Sequence, residues 1–141
     1  MVRKANVMPI VALSGGFDPI HEGHIDLIKE ASSYGNVVVI LNSNAWLKRK
    51  KGYIFMRWEQ RAAILKELRS IYDVIPVNDL DNTVCEALRR LKPDYFANGG
   101  DRTLDNTPEL SLCEELGITP LFNIGGGKVA SSSELIRAAH A

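Results

Sequence analysis

The chain has 141 residues, of which 45% are hydrophobic and 24% charged, so residues 1–141 are expected to form one globular domain with its own core. Seventeen basic and seventeen acidic residues give a net charge of zero, which excludes the overall basic field that non-specific nucleic-acid binding uses. No stretch approaches the ~20 apolar residues of a membrane span, and no apolar signal core follows residues 1–8. We therefore expect a cytoplasmic protein with neither nucleic acid nor membrane as a partner.

The first predicted unit is a strand, a turn and a helix. A short apolar run at residues 10–13 is followed by the stretch SGGFDPIHEGH at 14–24 and then by apolar residues at helical spacing. Gly15 and Gly16 allow the backbone to approach a ligand closely, and the start of the helix offers N–H groups and a positive dipole end to a phosphate. This pattern indicates a phosphate-binding turn for a nucleoside triphosphate.

Two histidines in this turn add chemistry to it. His21 and His24 are three residues apart, so both project from one side of the first helical turn and can reach one phosphate. An imidazole can donate a hydrogen bond to an oxygen whose negative charge grows in a transition state. Taken alone, a histidine pair at this spacing is as typical of a metal site or a helix cap as it is of phosphate binding.

The longer motif, GGFDPIHEGH at residues 15–24, resembles the signature of the nucleotidyltransferase superfamily that carries an H-x-G-H (HIGH-type) motif after its first strand. The resemblance implies that a substrate phosphate attacks the α-phosphorus of a nucleoside triphosphate and that pyrophosphate leaves. It makes the two histidines catalytic, and Asp18 a contact of both substrates. The nucleotide-binding residues that it implies in this turn are Gly15, Gly16, Phe17, Asp18, His21 and His24.

The second strand is predicted at residues 37–41, VVVIL, because a continuous β-branched run suits a parallel strand buried on both faces. Four consecutive cations follow at 48–51, and by itself such a run is typical of a solvated loop. Residues 42–52 resemble the segment that supplies lysines to the phosphates in heptose-phosphate adenylyltransferases and glycerol-phosphate cytidylyltransferases. The resemblance implies that Lys48 and Lys51 are catalytic cations that shield the two substrates from each other, and that Lys48 also binds the acceptor.

The middle of the chain predicts a helix, a strand and a second helix. Apolar residues at 62–65 and 68 give the first helix a core-facing stripe. Arg61 on this helix has two interpretations: support of the substrate loop, which the E-Q-R resemblance implies, or a helix-surface arginine. Residues 73–77 predict the third strand, and residues 79–83 supply caps for a helix over 84–91.

The fourth strand, at residues 92–97, runs into Asn98, two glycines and Asp101. Glycines followed by an acid at the end of a strand indicate close approach to a ligand. The pattern K-P-D-x-x-x-x-G-G-D resembles heptose adenylyltransferases and implies acceptor binding by Asn98, Gly100 and Asp101. For Asp101 three roles stay open: binding a sugar hydroxyl, positioning Mg²⁺, or capping the turn.

The last predicted elements are a helix from residue 107 to 116, a strand over 119–124, a glycine loop and a short helix capped by serines. The serine run resembles the superfamily's second signature, I-S-T-T or I-S-S-S, which holds the β- and γ-phosphates. The cytidylyltransferases have an arginine where this chain has Gly126, and we assign its role to Lys128. The nucleotide-binding residues implied here are Gly126, Gly127, Lys128, Ser131, Ser132 and Ser133.

Five strand–helix alternations predict an α/β, Rossmann-like, doubly wound parallel five-stranded sheet with helices on both faces and a ligand at the switch in strand order. The resemblance extends from residue 9 to residue 136. It implies a nucleotidyltransferase that moves a nucleoside monophosphate from ATP or CTP to a sugar- or polyol-phosphate, with Mg²⁺ carried by the triphosphate and a homodimer as the assembly. It favours heptose-1-phosphate adenylyltransferases. The alternatives are a glycerol-3-phosphate cytidylyltransferase and a non-catalytic nucleotide-binding module.

Overall fold

The computed structural model describes residues 8–100 and 102–126. The predicted site residues Asp101, Gly127, Lys128 and Ser131 to Ser133 lie outside these ranges. The elements in chain order are β1 (Ile10–Gly15), α1 (Glu22–Ala31), β2 (Asn36–Leu41), α2 (Asn44–Lys51), α3 (Trp58–Lys66), β3 (Ile71–Ile75), α4 (Cys85–Leu91), β4 (Tyr95–Ala97), α5 (Leu110–Leu116) and β5 (Thr119–Leu121).

The five strands form one parallel sheet in the order β3-β2-β1-β4-β5, which confirms the predicted Rossmann-like fold. β1 is the central strand and pairs with β2 on one side and with β4 on the other. The chain first builds the sheet outward from β1 through β2 to β3, and then returns to add β4 and β5 on the opposite side. A crevice therefore opens at the carboxyl ends of β1 and β4, where the strand order switches.

Helices cover both faces of this sheet, as the alternation of buried residues along β1 dictates. Leu13 belongs to one core cluster together with Ile28 of α1 and Leu65 of α3. Its neighbour Ala12 faces the other side and belongs to a second cluster together with Leu88 of α4. The first helices and the last helices thus lie on opposite faces, and the loops that leave the strands meet at the crevice.

The structure corrects the sequence prediction most clearly at the basic segment, which forms the helix α2 instead of a loop. The Ser43 hydroxyl accepts the Trp46 backbone N–H at 3.0 Å and caps the helix, and Leu47 is its buried residue. With one buried side chain among charged ones, the helix has no apolar stripe for a sequence pattern to detect. The predicted stripe of α3 is also narrower than expected, since Ile64 is exposed.

Several boundaries differ from the predicted ones by a few residues. α1 ends at Ala31 instead of residue 34, β3 ends at Ile75 instead of residue 77, and β5 ends at Leu121 instead of residue 124. Within the ranges that the structure describes, no helix combines the length and the apolar character that crossing a membrane requires.

Candidate active site

An open cavity of about 790 Å³ lies at the carboxyl ends of β1 and β4. The loops after β1, β3, β4 and β5 and one face of α2 contribute to its walls. Its histidine, tryptophan, amide and cationic side chains are His21, His24, Trp46, Arg49, Lys50, Asn82, Asn98, Arg102 and Asn106. Among the described residues that line the cavity there is no carboxylate, although the chain as a whole is charge-neutral. The local surplus of positive charge makes this a site for anions.

The side chains of the two histidines accept backbone N–H groups at the start of α1. His21 is the N-cap residue, and its Nδ1 accepts the Gly23 backbone N–H at 3.1 Å. The Nδ1 of His24 accepts the His21 backbone N–H, also at 3.1 Å. Because each Nδ1 accepts a hydrogen bond, each neutral ring carries its proton on Nε2. The capping box therefore sets the tautomer of both rings.

The geometry of the pair suits two donors that act together. The rings of His21 and His24 stack with centroids 3.8 Å apart and an interplanar angle of 21°. The centroid of the buried Phe17 ring lies 4.6 Å from that of the His24 ring, so Phe17 packs against His24. Both histidines line the cavity, so the stacked rings lie where an anionic ligand would bind.

Asp18 has a different environment from the one expected of a ligand contact. Its side chain is buried, and its two carboxylate oxygens accept the backbone N–H groups of Phe55 at 2.8 Å and Met56 at 2.7 Å. It does not line the cavity. In this structure Asp18 anchors the loop over residues 53–56 to the turn between β1 and α1, and its predicted contact with nucleotide and acceptor stays a prediction.

Arg61 connects three parts of the site from within the protein. It is 1% exposed, so the interpretation of Arg61 as a helix-surface arginine is wrong. Its guanidinium donates to the carbonyl oxygens of Gly16, Asn42 and Met56 at 2.8 to 3.0 Å, and to the side-chain oxygen of Asn44 at 2.9 Å. Burial lowers the pKa of Arg61, and the nearby Asp18 carboxylate counteracts this. The turn between β1 and α1, the end of β2 and the 53–56 loop are thus held in one arrangement.

Two cations of α2 reach the cavity, and they are not the two that the sequence suggested. Arg49 and Lys50 line it, with the Lys50 Nζ 5.7 Å from the centroid of the Trp46 ring. Lys48 is exposed and is absent from the lining residues. Positions 46, 49 and 50 share one helical face, so a helical interpretation of this segment would have identified them.

Lys51 acts on the neighbouring loop. Its Nζ donates to the backbone carbonyl of Asp18 at 2.7 Å and lies 5.5 Å from the centroid of the Tyr53 ring. Burial lowers the pKa of Lys51, Asp18 raises it in part, and Arg61 lowers it further. Lys51 does not line the cavity, so its position supports the turn that precedes α1.

Asp79 joins α2 to the loop after β3, although its expected role was to cap α4. Its carboxylate accepts the Ser43 hydroxyl at 2.6 Å, the Ser43 backbone N–H at 2.9 Å and the Asn42 amide at 3.0 Å. Burial favours a higher pKa for Asp79, but these hydrogen bonds outweigh it and hold the pKa below its usual value. Arg49 donates to the Asp79 carbonyl at 2.7 Å and to the Asn82 side-chain oxygen at 3.2 Å, which fixes its guanidinium at the cavity.

The loops that follow β4 and β5 form another part of the cavity wall. The side-chain amide of Asn98 donates to the carbonyl oxygens of Phe96 and Leu121, both at 3.1 Å, and so joins the ends of the two strands. Asn98, Gly100 and Arg102 line the cavity. Of the predicted acceptor contacts in this segment, the structure therefore brings Asn98 and Gly100 to the site.

The loop after β5 approaches α1 so closely that it requires glycine. Gly125 has φ +83°, its N–H donates to the Glu30 carboxylate at 3.1 Å, and a Cβ at this position would lie 2.8 Å from the backbone of Leu27. Gly126 follows and lines the cavity, and its nucleotide contact stays a prediction. The expected ligands from residue 127 onward lie outside the described residues.

The part of the chain that the structure describes contains no group of three or more His, Cys, Asp or Glu side chains placed to hold a metal ion.

Comparison with known proteins agrees with this geometry. The family model described as "Cytidylyltransferase-like" matches residues 12–124. Bifunctional protein HldE of Geobacter sulfurreducens is 36% identical over 118 residues, which are 82% of this chain and 24% of that protein. The chain thus spans about a quarter of the length of the HldE proteins that it matches. FAD synthase of Pyrococcus horikoshii is 33% identical over 108 residues, or 75% of this chain and 68% of that protein.

A solved structure gives the same result for the fold. The crystal structure of the lipopolysaccharide core biosynthesis protein from Thermoplasma volcanium GSS1 has a TM-score of 0.68 and 29% sequence identity, and the match covers 82% of this chain and 93% of that one. The family match extends from β1 to the loop after β5, across every strand that contributes to the cavity. The chain belongs to the cytidylyltransferase-like family of nucleotidyltransferases.

Proposed function

We propose that the protein transfers the nucleoside monophosphate of ATP or CTP to a phosphorylated small molecule and releases pyrophosphate. The observation that carries the proposal is the stacked pair of His21 and His24, whose Nδ1 atoms accept backbone N–H groups, set in a cavity with three cationic side chains and no carboxylate among its described lining residues. Such a site favours a ligand whose phosphate oxygens gain negative charge during the reaction.

The reaction needs positioning and charge stabilisation more than covalent chemistry by the protein. A phosphate oxygen of the acceptor attacks the α-phosphorus, the bond to the bridging oxygen of the β-phosphate breaks, and pyrophosphate leaves with that electron pair. His21 and His24 donate hydrogen bonds to the phosphate oxygens on which charge develops. No covalent intermediate with the protein is required, because alignment of the two substrates already supplies a large part of the catalysis.

Charge neutralisation is the second task, because both substrates are polyanions that repel each other. Arg49 and Lys50 are the cations of α2 that reach the cavity, and Lys51 supports the turn before α1. Mg²⁺ bound to the triphosphate supplies further neutralisation and keeps most of its waters. Gly126, Gly127, Lys128 and the serines at 131–133 remain the proposed ligands of the β- and γ-phosphates.

For the acceptor we propose a sugar 1-phosphate with ATP as the donor. Similarity to HldE over most of this chain supports this choice, together with the resemblance of residues 92–101 to heptose adenylyltransferases. A second candidate is formation of FAD from ATP and a flavin phosphate, favoured by the match to an FAD synthase over 68% of that protein. A glycerol phosphate with CTP is the third pair of substrates to test.

The test is pyrophosphate release measured for ATP and CTP, each combined with a sugar 1-phosphate, glycerol 3-phosphate and a flavin phosphate. We expect turnover with ATP and the sugar phosphate, and turnover at least ~10²-fold lower in the His24→Gln variant. Tight nucleotide binding without pyrophosphate release from any pair would instead identify a non-catalytic nucleotide-binding module.

Light scattering of the same preparation tests the expected homodimer, which should show twice the monomer mass.

A further inference from the structure

Glu109 is a buried carboxylate whose two oxygens have unequal environments. It lies directly before α5 and is 4% exposed. Its Oε2 accepts the backbone N–H of Val84 at the start of α4, at 3.0 Å. Its Oε1 is buried without a hydrogen-bond partner, and among residues 8–100 and 102–126 it is the one side-chain atom in that condition. A buried charged oxygen without a donor is costly, so its position calls for an explanation.

A cation is close to this oxygen but does not bond to it. The Nη1 of Arg102 lies 4.0 Å from Glu109 Oε1, beyond hydrogen-bonding distance. The same Nη1 donates to the Asn106 backbone carbonyl over 3.4 Å, which is a long hydrogen bond. Arg102 lines the cavity, and 39% of its side chain is exposed. Its guanidinium therefore lies at the cavity wall with the Glu109 carboxylate close to it.

The location separates this cation from the histidines. His21 and His24 belong to the start of α1, whose buried residues face one side of the sheet, whereas Val84 and Glu109 belong to the starts of α4 and α5 on the other side. The cavity extends across both. A triphosphate held by the histidine pair therefore leaves the side near α4 and α5 for the second substrate.

We propose that Arg102 binds the phosphate group of the second substrate and that Glu109 is the positioning residue that orients it; this inference rests on the proposed function. A planar guanidinium can donate to a carboxylate along one edge and to a phosphate along another. Glu109 is itself held by the Val84 N–H, so it presents Oε1 at a fixed place. Binding of the phosphate orders Arg102, and the contact with Oε1 closes to a hydrogen bond.

The test uses inorganic phosphate as the probe and calorimetric titration as the measurement. Phosphate is titrated into the full chain saturated with Mg²⁺ and a non-hydrolysable ATP analogue, and in parallel into the chain without nucleotide. Arg102→Gln should weaken phosphate binding at least ~10-fold, the scale of losing a charge-assisted hydrogen bond, and leave nucleotide affinity unchanged. Arg89→Gln is the matched control, because Arg89 is exposed and pairs with Glu115 outside the cavity.

Glu109→Gln tests the positioning role separately. The glutamine oxygen still accepts the Val84 N–H, so a purely structural role for Glu109 would leave phosphate affinity unchanged. We expect phosphate affinity to fall several-fold in this variant, because an amide attracts the guanidinium far less than a carboxylate does. Glu109→Asp, which restores the charge, should recover part of the loss.

Three results would overturn the inference: no phosphate binding by the wild type, unchanged phosphate affinity in Arg102→Gln, or an equal loss of nucleotide and phosphate affinity in that variant. The last result would assign Arg102 to the triphosphate. Unchanged phosphate affinity in Glu109→Gln would remove the positioning role alone. Failure of the proposed function would look different, because the wild type would then release no pyrophosphate from any substrate pair. The phosphate titration needs no turnover, so it tests Arg102 independently of that result.

Discussion

The Nδ1 of His24 accepts the backbone N–H of His21 at 3.1 Å, while the two rings stack with centroids 3.8 Å apart. The hydrogen bond completes the N-terminus of α1 through Nδ1, and the proposed contact with a phosphate uses the other ring nitrogen, Nε2. The structural and the proposed catalytic roles of each histidine use different atoms, so substitutions can separate them.

His21→Asn and His24→Gln are expected to retain the fold and lose activity. Asparagine is a preferred N-cap residue, and glutamine at the third helical position can reach back to the N-cap N–H. Neither provides the Nε2 donor, so turnover should fall by at least ~10²-fold per variant, the scale of losing one transition-state donor. Steady-state pyrophosphate release measures the loss of activity, and a thermal melt measures whether the fold is retained. Near-normal turnover in a well-folded variant would reject the catalytic assignment.

Lys50→Ala and Lys48→Ala should differ in their effects, although the two residues are neighbours on α2. Lys50 lines the cavity and Lys48 does not. Loss of Lys50 should lower kcat/KM by ~10-fold or more, as expected for one charge-assisted contact with a phosphate, and loss of Lys48 should have little effect. The comparison is a kinetic assay of both variants. A larger loss in Lys48→Ala would favour the assignment implied by the family resemblance over the one that the helix geometry supports.

Asp79 should make folding stability depend on pH in the acid range. Its folded-state pKa is lowered, so the stabilisation is fully present above the unfolded pKa of about 4 and is lost as pH falls through the folded value. Asp79→Asn should reduce the free energy of unfolding by ~2 kcal/mol at neutral pH, because charged hydrogen bonds are lost. The difference between the two proteins should shrink below about pH 4. Urea titrations across this range measure it, and a constant difference would contradict the assignment.

Gly125→Ala should destabilise the protein more than Gly126→Ala. Both glycines have positive φ, of +83° and +76°, so both substitutions carry the cost of that conformation, of the order of 1 kcal/mol. A Cβ on Gly125 would in addition collide with the backbone of Leu27, whereas a Cβ on Gly126 meets nothing within 4 Å. Thermal melts of the two variants isolate the steric part. Equal melting temperatures would show that the loop moves away from α1 without cost.

The sequence predicts much of this fold because β1 and β2 are buried on both faces and the turns carry glycine, proline and cap residues. The runs at residues 10–13 and 37–41 indicate β1 and β2 directly. α2 is missed because five of its eight residues are charged or polar and Leu47 is its one buried residue, so its helical form depends on the Ser43 cap and on Leu47.

Sequence patterns identify cavity residues that form a local motif, and they miss residues whose environment depends on distant contacts. His21 and His24 lie three residues apart, so the motif reveals them. The burial of Arg61 depends on carbonyl oxygens at the ends of β1 and β2, and the cluster around Asp79 joins residues 36 and 37 positions apart. No local pattern encodes such contacts, and the link from Arg102 through Glu109 to Val84 appears only when the loops after β3 and β4 meet.

The central position of β1 also has a consequence for the folding pathway. β1 is made first, yet one of its two neighbours is β4, and the backbone N–H of Ile10 bonds to the Asp94 carboxylate 84 residues later. Contacts this distant in sequence must overcome a large loop-closure entropy and therefore form late. During synthesis or refolding, the histidine turn can dock against β2 early, but its crevice acquires the second wall only when β4 joins the sheet. Nucleotide binding should thus report completion of the whole sheet, not of its first half.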